Sequence, residues 1–120
     1  MHDAALVTLY LARRDAYAAF LTAADTESNV VHFRHDGRFK DKVEAIAAVD
    51  VAYAATRAAF NMIDVEGTGP IKEARTVLER LRAMHSDDDQ APNWHDYKKA
   101  REDFVLAVNH HLQGMLNTMP

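Results

Sequence analysis

No cysteine occurs in the 120 residues, which excludes a disulfide, a thiol nucleophile and a zinc–thiolate centre. Glycine and proline are scarce, four and three, and β-branched residues form no runs. Little material is left for strands, and the abundance of alanine favours helix. No apolar stretch approaches the roughly 20 residues that span a bilayer. The apolar run from Ala4 to Ala12 is followed directly by Arg13-Arg14-Asp15. A signal peptide carries its charge before such a run and a small-residue cleavage site after it, so the cytoplasm is the expected location. Nor is there a basic excess. The formal net charge of −4 argues against nucleic acid or an anionic membrane as a partner.

What is present is an ordinary globular mixture, 48% hydrophobic and 27% charged. One domain over residues 1–120 is expected, burying about two thirds of its surface on folding. Four segments carry a helical period. In the first, Leu6, Leu9, Tyr10, Tyr17, Phe20, Leu21 and Ala24 recur at steps of three and four, with Asp3 as N-cap. The period weakens at Thr26-Glu27-Ser28-Asn29 and resumes through Val30, Val31 and Phe33, so the helix is predicted to run to about His32. "HDGR" then turns the chain at Gly37. The second stripe is Phe39, Val43, Ile46, Val49, Tyr53, Phe60 and Ile63; the third is Ile71, Ala74, Leu78 and Leu81. After the polar loop "SDDDQAP", Asn93 caps a fourth helix bearing Trp94, Tyr97, Phe104, Val108, Leu112 and Met115. Four helices with short connections predict an all-α, antiparallel up-down-up-down four-helix bundle. Its expected core is Leu6, Tyr10, Tyr17, Phe20, Ile46, Val49, Tyr53, Phe60, Leu78, Leu81, Tyr97, Phe104, Val108 and Leu112.

"IDVEGTGPI", residues 63–71, has Asp64, Glu66, Gly67, Gly69 and Ile71 spaced like part of a calcium-binding EF-hand loop. Counting from Asp64, however, the twelfth position needs a bidentate carboxylate and holds Arg75. Pro70 occupies the seventh, where a helix start suits it better. The stretch is a turn in which Gly67 and Gly69 end one helix, Thr68 or Gly69 caps the next, and Pro70 is its first residue. "ARRDAYAAFL", "VEGTGPIKEARTVLERL" and "YKKAREDFVLAVNHHL" together resemble a pattern recurring in uncharacterised small helical-bundle proteins of actinobacteria. It runs R-x-A-Y-x-x-F-L, then E-G-P, then Y-x-x-A-R-x-x-F, and here Thr68-Gly69 enlarges its E-G-P turn. The resemblance implies a helical bundle and brings no activity or catalytic residue with it.

The bundle topology gathers His32, His35, His85 and His95 at one pole, with Asp36, Asp87, Asp88 and Asp89 nearby. His32 and His35, three residues apart, could share a metal. A His near a helix C-terminus is equally explained by the macrodipole. Bundle metal centres use a Glu-x-x-His pair that is missing here. If a metal binds, these four histidines are the expected ligands. Arg13, Asp50, Arg57 and Arg101 interrupt the apolar stripes: either they line an anion pocket, or their stems lie along the core edge and their charges reach water or a carboxylate. No acid, base and nucleophile arrangement is legible around Ser28 or Ser86, so no catalytic residue and no cofactor are assigned.

Two segments are apolar all round, "AALVTLYLA" at the start of helix 1 and "FVLAV" at 104–108 in helix 4. The topology would place both at the pole opposite the histidines, beside Met62, Ile63 and Val65. With Leu6, Tyr10, Phe104 and Val108 turned inward, Val7, Leu11, Met62, Leu106 and His110 would form an exposed patch. Such patches mark interfaces, most commonly two-fold homodimers. The sequence therefore favours a non-enzymatic module that self-associates or binds another protein, ahead of a small-molecule or metal-binding bundle using the His-rich pole.

Overall fold

The computed structural model describes residues 2–85 and 92–119. They form four α-helices: α1 (His2–His35), α2 (Lys42–Glu66), α3 (Ile71–Met84) and α4 (Trp94–Thr118), with no strand among the described residues. The termini follow from local chemistry. Helix α1 already includes Asp3, which the sequence marks as its cap. It ends in a Schellman turn: Gly37 takes φ 68°, its N–H bonds the Arg34 carbonyl at 3.2 Å, and the Arg38 N–H bonds that of Phe33 at 3.0 Å. Asp41 and Asn93 cap α2 and α4 by accepting the N–H groups of Glu44 at 2.8 Å and Asp96 at 3.1 Å. Gly67, at φ 73°, closes α2. Pro70 lies one residue outside α3 as its cap, rather than within the first turn.

Cross-helix pairs fix the directions. Arg13 meets Glu66 while the Thr56 hydroxyl meets the Ala23 carbonyl, so α2 runs against α1. Asp25 meets Arg101 while Arg13 meets Met115, so α4 also runs against α1. Tyr17 abuts Gly69 just before α3 and Glu27 meets His85 just after it, so α3 runs with α1. The bundle is up-down-up-down. It is also uneven: α1 packs most closely on α2, α3 on α4, α2 touches α3 little and does not approach α4.

At the centre the Phe20 and Phe104 rings meet edge to face at 5.3 Å, with Phe60 and Tyr17 beside them. Val31, Val77, Leu81, Met84 and Tyr97 complete the core. Most of the expected core is buried, with Leu6, Tyr10 and Leu78 half-buried. Ile46 and Tyr53 are corrections, being 53% and 43% exposed. The inward residues of α2 are Ala45, Val49, Ala52, Thr56, Phe60 and Ile63, a narrow arc suited to one close neighbour. Small side chains on that arc let α1 and α2 lie near each other. Thr56, fully buried, satisfies its hydroxyl with the Ala23 or the Ala52 carbonyl, each 3.1 Å away.

Of the three positive-φ glycines, Gly37 and Gly69 separate backbone strain from crowding. A Cβ at Gly37 meets open space, whereas one at Gly69 (φ 80°) collides with the buried Tyr17 hydroxyl. Gly37→Ala should cost about 1 kcal/mol, the left-handed penalty alone, and Gly69→Ala about 3 kcal/mol because overpacking is added. Urea denaturation of the two variants reads the difference; equal losses would show that Tyr17 yields freely.

Candidate functional site

The polar groups of the interior act as ties between helices. Asp25 on α1 accepts the Tyr97 hydroxyl at 2.6 Å and the Arg101 guanidinium at 2.8 and 3.0 Å. Burial, and then the bond to Asp25, push the Tyr97 phenol well above its usual value. Glu27, 3% exposed, sits 2.6 Å from His85 Nε2, and Arg34 donates to the His85 carbonyl at 3.2 Å. Arg13 pairs with Glu66 and donates to the Met115 sulfur at 3.4 Å. Arg13 and Arg101 thus hold carboxylates rather than lining an anion pocket. Asp25 and Glu27 were not legible as site residues, because their partners lie 58 to 76 residues away.

The four pole histidines are not gathered into one ligand set. His85 is committed to Glu27, His32 Nε2 is buried without a hydrogen-bond partner, and His35 and His95 are exposed. Among the described residues no group of three or more His, Asp or Glu is placed to hold a metal. Asp87, Asp88, Asp89 and Ser86 lie outside the described residues. At the EF-hand-like turn, Arg75 donates to Asp64 at 2.8 Å, so the twelfth position neutralises the first.

The apolar surface is the more distinctive feature. Val7, Leu11, Met62, Leu106 and His110 are all exposed as expected, but they do not form one patch. Tyr17 stacks on His111, and Arg13 meets Met115. Leu106 and His110 are therefore level with the middle of α1, and Leu106 lies about 16–22 Å along the axis from Leu11 and Val7. The reason is position: Leu106 is the midpoint of α4, twelve residues from Trp94 and from Thr118. In addition α1 has 34 residues against 25, so its start overhangs the end of α4. Leu116, also exposed, takes the position expected for Leu106. The longest exposed apolar surface belongs to α2. Val43, Ala47, Val51, Ala54, Ala58, Met62 and Val65 recur at steps of four and three on the side away from α1, Val51 at 72% and Val65 at 87% exposure. Sequence reasoning gave α2 an inward stripe and left this second stripe unread.

Among the described residues no helix is long and apolar enough to cross a membrane. Comparison with known protein families, curated proteins and solved structures returns no match to this chain.

Two measurements follow from the polar ties. Tyr97→Phe should cost about 1 kcal/mol and Asp25→Ala about 2 kcal/mol, since the latter strands a buried hydroxyl; the double variant should lose no more than Asp25→Ala alone. Fully additive losses would mean that the pair does not act as a unit. His111 provides a pH dependence. Burial, with Arg13 nearby, holds its imidazole below the usual 6.5. The unfolded chain takes up that proton more readily, so stability present above 6.5 is lost as pH falls through the depressed native value. His111→Gln should flatten that acid limb in urea titrations at pH 5 and 7.5. An unchanged slope would exclude His111 as its source.

Proposed function

We propose that the protein is a non-enzymatic helical interaction module of the cytoplasm that acts by self-association. The observation carrying this reading is the outward face of α2. It offers a line of exposed apolar side chains about 33 Å long, where a soluble surface helix ordinarily turns polar residues to water. Contiguous apolar surface of this extent is what interaction surfaces use. The carboxylates that might otherwise suggest chemistry, the buried Glu27 and the partly exposed Asp25 and Glu66, are each occupied in tying helices together. The overhanging start of α1, with Val7, Leu9 and Leu11, is a second and smaller apolar surface.

Light scattering across a concentration series tests the proposal. The wild type should approach twice the chain mass in the micromolar range. Val51→Glu should return it to a folded monomer with unchanged helical circular dichroism, and Leu11→Glu should have the smaller effect. A wild type that stays monomeric at high micromolar concentration would refute self-association.

A further inference from the structure

The reading just proposed leaves open which surface of the second copy meets α2 and in which direction. We infer that the occupant is a second copy of this chain, its α2 laid antiparallel across the first about a two-fold axis near Tyr53 and Ala54, with Asp50 of each copy opposite Arg57 of the other. The inference rests on the self-association reading and goes further, because it fixes the orientation and the register.

Charge carries the argument. Between Ala45 and Ile63 only Asp50 and Arg57 are charged. They lie seven residues apart, two helical turns, so both flank the same side of the exposed face. Neither has an oppositely charged partner among the described residues. Asp50 is exposed, and Arg57 has its Nε donating to the Tyr53 hydroxyl at 3.1 Å and its guanidinium 5.2 Å from that ring's centre. By contrast, Asp64 on the same helix is held by Arg75, and Glu66 by Arg13.

A two-fold antiparallel pairing is self-complementary for this pattern. With the axis midway between Asp50 and Arg57, each acid of one copy comes level with the base of the other, and two equal ion pairs form at once. A parallel pairing would set acid against acid and base against base, which is repulsive. The same register is sterically matched. It sets Val51 between Ala54 and Ala58 of the second copy, and Ala47 between Ala58 and Met62, so the larger side chains meet small ones. The alanines permit helices to approach to about 8 Å. The bundle leaves room for this neighbour, since α2 packs closely on α1 alone.

Charge reversal tests orientation and register together. Asp50→Arg or Arg57→Asp should each weaken the dimer about tenfold at low ionic strength, because two attractions become two repulsions. The double variant should recover wild-type affinity. Since the chain has no native cysteine, a single introduced thiol reports unambiguously. Ala54→Cys should form a disulfide-linked dimer on mild oxidation. Ala47→Cys should link poorly to itself but readily to Ala58→Cys in a mixture. A wild-type dimer insensitive to both reversals and unlinked through Ala54→Cys would overturn the α2 pairing while leaving self-association standing. A wild type monomeric at high micromolar concentration would overturn both.

Discussion

The structure depends on α1. At 34 residues it is about 51 Å long, against about 37 Å for α2 and α4, and it is in contact with all three other helices. Each neighbour is tied to it by a polar pair at a defined height: Glu66 on Arg13 and Thr56 on the Ala23 carbonyl for α2, Arg101 and Tyr97 on Asp25 for α4, His85 on Glu27 after α3. Apolar packing alone would tolerate a helix sliding by one turn, because a stripe repeated every turn looks similar after the slip. The polar ties do not tolerate it: the buried Glu27, Thr56 and Tyr97 would each lose a partner at a cost of about 1–3 kcal/mol, while the partly exposed Asp25–Arg101 and Arg13–Glu66 pairs add less. Phe20, Phe60 and Phe104 provide the burial, and the α1 ties select one register for it.

This division of labour explains what was legible in the sequence. Periodicity sees burial, so the four helices, their order and most of the core could be read from Tyr17, Phe20, Phe60, Phe104 and Leu112. Caps are local chemistry, and Asn93, Gly37 and Gly67 are recognisable without any tertiary information. The register ties are non-local. The segment Thr26-Glu27-Ser28-Asn29 looks like a weakening of the apolar stripe, yet Glu27 and Ser28 are among the most buried residues of the chain. Their inward position has its reason in part in His85, 58 residues away. A polar break in an otherwise regular stripe was the available signal, and it indicated a tie.

The misplacement of Leu106 has a different origin. Topology fixes which ends of helices share a pole, but Leu106 stands twelve residues from either end of α4 and belongs to neither pole. The start of α1 also overhangs α4, and its protruding turns keep the same apolar pattern as the packed ones. Val7 and Leu9 therefore lie beyond the end of α4, Leu11 beside its last turn, and Leu106 at mid-height. Ile46 and Tyr53 were assigned inward for a related reason: α2 was given a stripe wide enough for two neighbours, and it has one close neighbour.

That single neighbour accounts for the character of the α2 surface. A helix apolar on both sides is costly to leave half in water, and its exposed side would be expected to carry Leu or Phe only if it were permanently covered. Here the middle of the outward face is Val51 set among Ala47, Ala54 and Ala58, with further larger apolar groups toward the ends at Val43, Met62 and Val65. Alanine exposes little apolar area to water, and its small volume permits the close approach that the proposed pairing requires. Bulk placed at the ends and a lone charge of each sign near the middle bias that approach toward one crossing geometry. In the proposed pairing such a face would favour a contact that forms and dissolves with concentration and ionic strength over an obligate one in which the monomer could not fold alone. The fold supports this independence, because Ala45, Val49, Ala52, Thr56, Phe60 and Ile63 are already buried within one chain.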